Sequence, residues 1–326
     1  MVSRRSLTRA ERNVTKSKRW QMGIVILFAI VLTSCGSLAP LSPTPAPASE
    51  PTSLPDTPTP EPDHIAQLRN AEYQLGIPES LRVVKLTDGK YEEGAPGGVD
   101  YVAVTMLDFA TKGSVDGAGN DKYVTLVAEN YGGSGTFVFL VVFADENGTP
   151  KFLTSRMVDD RPQINELSLS DTNEIFLDAT IHGSQDPMCC PTLHTTRHFR
   201  VNALGNLSMT DYTTFTPDGR PRTINIEAPA QGTEVFNKVE IKGSVAIAPF
   251  ENNLTYQIVD SAGLVLAIGS ITVNATELGG PGTFDQTISL GNVLSGAKVR
   301  LEVQDLSAED NSWLAMDSVE LVVKSK

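Results

Sequence analysis

From about residue 81 onward the chain repeats one pattern: a short run of alternating apolar and polar residues, then a cluster of Gly, Asp, Asn, Pro or Ser. Alternation with period two puts apolar side chains on one face of an extended strand, whereas a helix needs a period near 3.6. The first set of runs covers 81–86, 100–107, 122–128, 137–143, 151–158, 163–169, 174–181 and 195–201. Asp88-Gly89 and Asn147-Gly148 carry the residue types that tight hairpin turns favour. A helical or irregular start is expected over 65–75. Many short strands with turns between them predict an antiparallel sheet, sandwich or barrel over 64–222.

A second set covers 223–227, 239–245, 254–259, 264–268, 283–290, 298–303 and 318–323. That rhythm and length predict an immunoglobulin-like β-sandwich over 223–326. No cysteine lies beyond Cys190, so such a sandwich has to rely on its inter-sheet apolar core. The expected fold class is therefore all-β: an antiparallel β domain, then the sandwich, preceded by a disordered Pro-rich tether.

The first 35 residues read as an export signal. Arg4, Arg5, Arg9, Arg12, Lys16, Lys18 and Arg19 precede an apolar run from Gly23 to Leu32, and Leu32-Thr-Ser-Cys35 follows. A ten-residue apolar helix is about half of what crosses a bilayer, so the run suits a signal core rather than an anchor. Leu-Thr-Ser-Cys resembles the bacterial lipobox, which implies a signal peptide over 1–34, removed by cleavage, and a diacylglycerol (palmitate-type) lipid on Cys35. Removing those residues takes away six net positive charges and turns −13 into −19. An acidic body is repelled by anionic headgroups, so the acyl chains must hold it at the membrane. Residues 35–63 contain nine of the 20 prolines and form an extended linker that lifts the body off the surface.

Leu68–Tyr73, Lys85–Tyr91, Gly132–Phe137 and Asp186-Pro-Met-Cys-Cys-Pro-Thr192 together resemble the LppP/LprE family of bacterial lipoproteins over 65–202. The resemblance implies a surface-anchored domain and brings no activity with it. Ile224–Pro229, Gly232, Val235, Val239–Gly243, Phe250–Asn252, Leu254–Ile258, Asp260–Gly263 and Gly282–Phe284 resemble the immunoglobulin-like domain of bacterial spore germination proteins over 223–326. Within it, Phe250 reads as a core plug and Glu251 as a solvated turn.

Two clusters have residues suited to chemistry. With Cys35 acylated, Cys189 and Cys190 are the remaining thiols, and outside the cytoplasm they are expected to pair as a disulfide. A ring closed between neighbours is strained and more readily reduced than an ordinary disulfide. The pair serves as a turn staple, as two small packed side chains, or as a redox or intermolecular link. His182, Met188, Cys189, Cys190, His194 and His198 fall within 17 positions, a soft donor set that suits copper or zinc, although no standard zinc spacing occurs. Asp116-Gly-Ala-Gly-Asn-Asp121 has the outline of a calcium loop, but Ala118 interrupts its alternating oxygen ligands. A glycine-rich turn is the favoured reading there.

Other signals are negative. Phosphate-loop and zinc-helix motifs are absent, and clustered Lys and Arg of the kind that binds nucleic acid are missing from the body. Ser295-Gly-Ala-Lys298 precedes a predicted strand instead of opening a helix, and Asp159-Asp160 point to opposite sides of a strand. The expectation is a non-enzymatic protein of the cell envelope, lipid-anchored on the extracytoplasmic face and without a cofactor. It would bind a wall polymer or an envelope protein. The alternative is a metal-binding or redox-active lipoprotein centred on Cys189, Cys190 and the nearby histidines.

Overall fold

The computed structural model describes residues 63–76, 81–117, 119–290 and 293–324. The expected signal, the acylation site Cys35, the linker up to residue 62 and Ala118 lie outside the described residues.

The described chain is nearly all β. It opens with one helical turn and a half, α1 (His64–Leu68), capped by Asp63, whose Oδ1 accepts the Ile65 N–H at 3.0 Å. The helical or irregular start expected over 65–75 ends there. Tyr73 and Leu75 alternate into the core, so β1 (Glu72–Leu75) pairs with β2 (Arg82–Lys85) instead. Asp88 and Gly89, both at positive φ, then turn the chain into β3 (Lys90–Glu93). With β4 (Val102–Ser114), β5 (Asp121–Asn130), β6 (Phe137–Glu146) and β7 (Thr149–Asp160), β3 forms a five-stranded sheet in chain order. Asn147 (φ 57°) and Gly148 (φ 82°) close the β6–β7 hairpin that the sequence signals.

The next strands are β8 (Gln163–Leu169), β9 (Ile175–Ile181), β10 (Leu193–Val201) and β11 (Leu207–Phe215), with the two-residue β12 (Pro221–Arg222) beside β11. Their inner face packs on the five-stranded sheet through Ile175, Leu177 and Phe199 against Val124, Leu126 and Leu140. The other face of the five-stranded sheet is covered by α1, β1 and β2, with Tyr73, Tyr123 and Phe143 at the centre. The buried Tyr73 hydroxyl donates to the Leu68 carbonyl at 2.9 Å, which satisfies its one donor inside the core.

The second half comprises β13 (Ile224–Ala228), β14 (Thr233–Val235), β15 (Lys238–Val245), β16 (Asn253–Asp260), β17 (Val265–Thr272), β18 (Asn274–Ala275), β19 (Gly282–Ser289), β20 (Lys298–Leu306) and β21 (Trp313–Val323). Sheet β13-β15-β19-β18 faces sheet β17-β16-β20-β21, and Ile241, Leu254, Ile258, Ile271, Leu301 and Leu321 fill the space between them. The seven expected runs of this half are all strands, and its core is apolar. Phe250 departs from expectation. Glu251 and Asn252 adopt left-handed backbone (φ 55° and 54°), which turns the chain and leaves Phe250 67% exposed rather than in the core.

Strand β11 links the halves. It pairs antiparallel with β21 through Asp211↔Asp317, Tyr212↔Met316 and Thr213↔Ala315. One sheet therefore runs β17-β16-β20-β21-β11-β10-β9-β8 across both halves. β21 serves both cores, with Met316 in the first and Leu321 in the second. Beyond the three pairs, side chains take over from the backbone ladder. Thr214 Oγ1 donates to Leu314 O at 2.6 Å, and Ser318 Oγ donates to Thr210 O at 2.8 Å.

Candidate functional site

Past Thr210 and Ser318 the strands part, and a wedge opens between β10–β11 on one side and β20–β21 on the other. It forms a cleft of about 750 Å³, of mixed polar and apolar lining, that continues toward the seam as a smaller recess of about 180 Å³. Arg200, at the end of β10, lines both spaces together with Arg300 of β20, Glu320 of β21 and Gln231. Arg300 and Glu320 are direct cross-strand neighbours. Lys122, Asn202, Asp260, Ser261 and Lys298 complete the polar wall, and Leu153, Val201 and Val299 form its apolar patches. Asn202 Nδ2 donates to Ser261 O at 2.8 Å and so bridges the two halves within the cleft.

Three of the four cations that line the cleft pair with carboxylates. Glu174 accepts from Arg200 at 3.1 Å and from the Thr210 hydroxyl at 2.8 Å. Arg300 lies on Glu302 at 2.5 Å, and Gln304 Nε2 donates to the other Glu302 oxygen at 2.9 Å. Lys122 lies on Asp116 at 2.8 Å. Paired cations beside the Lys298 ammonium and the Gln231 amide form a hydrogen-bonding wall that suits a polar ligand.

At the narrow end, titratable groups crowd the seam. Asp211 and Asp317 stand opposite each other, and Asp317 accepts from the Ile226 and Ser318 amides at 2.7 Å each. Burial, with a further push from Asp211 and Glu174, raises the Asp317 pKa to about 7. His198 Nδ1 lies 3.5 Å from Asp211, and that hydrogen bond raises the imidazole pKa above its ordinary value. Asp305 is raised to about 6 by burial, which Arg222 at 4.0 Å only partly offsets.

The sequence-predicted residues fall elsewhere. Cys189 and Cys190 are disulfide-bonded and exposed in the loop between β9 and β10. Asp186 holds that loop closed: its Oδ2 accepts the amides of Gly183 and Thr192, and its Oδ1 accepts the Thr192 hydroxyl. His182 is held between Asp159, at 3.2 Å, and the Met188 carbonyl, also at 3.2 Å. His194 and His198 share one face of β10 but serve different partners. His194 bonds Asp178 at 2.9 Å and stacks on Phe215 with ring centroids 4.2 Å apart, while His198 meets Asp211 and Phe176. Among the described residues, His, Cys, Asp and Glu do not gather in any group of three or more fit to hold a metal ion. In the glycine-rich loop the Lys122 ammonium occupies the Asp116 carboxylate, where a calcium ion would need it. Asp159 and Asp160 serve opposite sides of β7: one holds His182, and the other holds Arg161 and the Thr136 amide.

Sequence reasoning missed Glu174, Arg200, Gln231, Arg300 and Glu320 as a group. Nothing in the local pattern marks them, because the cleft exists only once β11 finds β21.

Residues 223–312 match a family described as the immunoglobulin-like domain of bacterial spore germination. The match ends just before β21, the strand that completes the sandwich and carries the seam. A comparison with curated proteins finds no match.

Proposed function

We propose that the protein is a lipid-anchored component of the cell envelope, on the extracytoplasmic face, whose two-part β body binds a polar ligand and performs no catalysis. The observation that carries this reading is the cleft at the seam, where Lys122, Arg200 and Arg300 each pair with a carboxylate and stand beside Lys298 and the Gln231 amide. Paired charges and amides suit recognition of a polyhydroxyl polymer, and the strongly perturbed carboxyl lining the narrow end, Asp317, has its oxygens taken by the Ile226 and Ser318 amides. The immunoglobulin-like sandwich and the Cys189–Cys190 bond are compatible with an oxidising location. Cys35 would carry the lipid, and the proline-rich stretch before residue 63 would act as the stalk. The likeness of residues 65–202 to LppP/LprE lipoproteins points the same way. The test is binding of the purified protein to isolated cell-wall polysaccharide by sedimentation. Gln231→Ala with Lys298→Glu should weaken binding while thermal unfolding stays unchanged. Wall binding that ignores both substitutions would refute the cleft as the site.

A second reading rests on the exposure of Cys189 and Cys190. A partner dithiol could reduce this disulfide and be oxidised to a disulfide in turn. Ready reduction of the native protein by a thioredoxin-type dithiol supports that reading, and resistance refutes it.

A further inference from the structure

We infer that the loop between β9 and β10 is a redox-controlled clip between the two halves, closed while Cys189–Cys190 is bonded and released when it is reduced, which rests on the reading of that disulfide as reducible. The seam ends where β21 begins, at Trp313, and the turn over 307–312 comes just before it. Two residues of the disulfide loop reach that turn from the first half. Gln185 Nε2 donates to Glu309 Oε1 at 3.2 Å, across 124 positions of sequence. Asp310 accepts from the Ser312 amide and from the Ser312, Ser307 and Ser184 hydroxyls, and these bonds hold its carboxyl well below the usual carboxylate range.

Polar bonds and the disulfide give the loop its shape. From Ser184 to Cys190 every residue is exposed except the half-buried Asp186, so no apolar side chain anchors the segment. Asp186 closes its base through Gly183 and Thr192. The tip is a turn in which the Cys190 amide donates to the Pro187 carbonyl at 2.9 Å and the Met188 carbonyl meets His182. The ring between Cys189 and Cys190 fixes the backbone of that turn. An exposed hydrogen bond contributes less than the entropy lost by ordering the residues that make it. Ser184 and Gln185 therefore hold the 307–312 turn only while the rest of the loop is already ordered, and opening the ring returns that freedom.

Both cysteines are exposed, so a dithiol of the thioredoxin type can reach them. Its thiolate attacks one sulfur, the other leaves as a thiolate and takes up a proton, and the second thiol of the partner then resolves the mixed disulfide. The chain gains two electrons and two protons as two thiols, and the partner departs as a disulfide.

The experiment is hydrogen exchange read by mass spectrometry on the full-length chain in detergent, before and after reduction by such a dithiol. The Ser307 and Asn311 amides, bonded within the turn to the Ser312 and Ser307 carbonyls, should exchange about tenfold faster after reduction, while β15 and β19 stay slow. Ser184→Ala with Gln185→Ala should give the same rise with the disulfide intact. Cys189→Ser with Cys190→Ser opens the ring without a reductant and should give it too, with a circular dichroism melt close to the parent's. A parent that resists the dithiol overturns the redox control together with the reading it rests on. A turn that stays slow in the reduced parent or in the Cys189→Ser, Cys190→Ser chain overturns the clip and leaves that reading standing.

Discussion

Raising the pH should loosen the seam, and Asp317 sets the size of the effect. Its carboxyl faces Asp211 across the β11–β21 pairing, with Glu174 and His198 nearby, and its pKa stands at about 7 against an ordinary 3.8. Because the folded value is the higher one, the unfolded chain releases this proton first as pH rises. Stability is full below about pH 4, falls between there and about 7, and is flat above that. A shift of this size corresponds to about 4 kcal/mol, a large share of the 5–15 kcal/mol typical of a folded domain. Asp305, raised to about 6, acts in the same direction over a narrower window. His198 adds to it, since its raised pKa gives stability that is present below about 6.5 and lost as pH rises through the folded value. The carboxylates held below their ordinary range, such as Asp145 and Asp160, act in the opposite sense and only below about pH 4. The assay is urea unfolding at fixed ionic strength from about pH 4.5 to 8.5. It is followed by the fluorescence of Trp313, which lies 6.2 Å from Tyr212 across the seam. Asp317→Asn cannot ionise and keeps one oxygen for the amides, so it should remove most of the slope and leave the protein more stable than the parent at the alkaline end. A parent stability that stays flat or rises with pH, or an Asn variant with an undiminished slope, would refute the reasoning.

Other consequences follow from packing. Gly243 has no room for a side chain: an added Cβ would lie 2.2 Å from the Asn225 carbonyl oxygen and 2.4 Å from Phe284 Cζ. Gly243→Ala should cost about 1–3 kcal/mol in the urea midpoint analysis, and an unchanged midpoint would contradict the packing. Phe143 is fully buried against Tyr73 with ring centroids 4.9 Å apart, so Phe143→Ala should cost about 3–5 kcal/mol in the same assay. Asp186→Ala removes three acceptor contacts from the disulfide loop. Hydrogen exchange at the Gly183 and Thr192 amides should accelerate while exchange in the β9 and β10 core stays slow, and equal exchange at all of these sites would rule out the role given to Asp186.

The strands of the second half were legible because their alternation is unbroken. Lys238–Val245 buries every second residue through to Val245, so its inner face can be read directly from the sequence. β11 was not legible. Leu207-Ser-Met-Thr begins the alternation, but a bulge at Thr210 shifts it by one, and the following threonines read as polar although two of them are buried. The expected last strand began at residue 318, five residues short, and the missed part, from Trp313 to Asp317, is what pairs with β11. Phe250 went wrong for a related reason: its apolar character says core, and only the left-handed turn after it decides otherwise.

By itself the sequence determined what depends on neighbours along the chain. It set the period-two strands and the Asp88-Gly89 and Asn147-Gly148 turns, because steric preference and short loop closure act within a few residues. Only the tertiary structure decided which strand edges meet. The Thr214–Leu314 hydrogen bond spans 100 positions, and the pairing beside it creates the cleft and buries Asp317. Desolvation and charge pairing depend on distance in space, and alternation along a strand does not encode that distance.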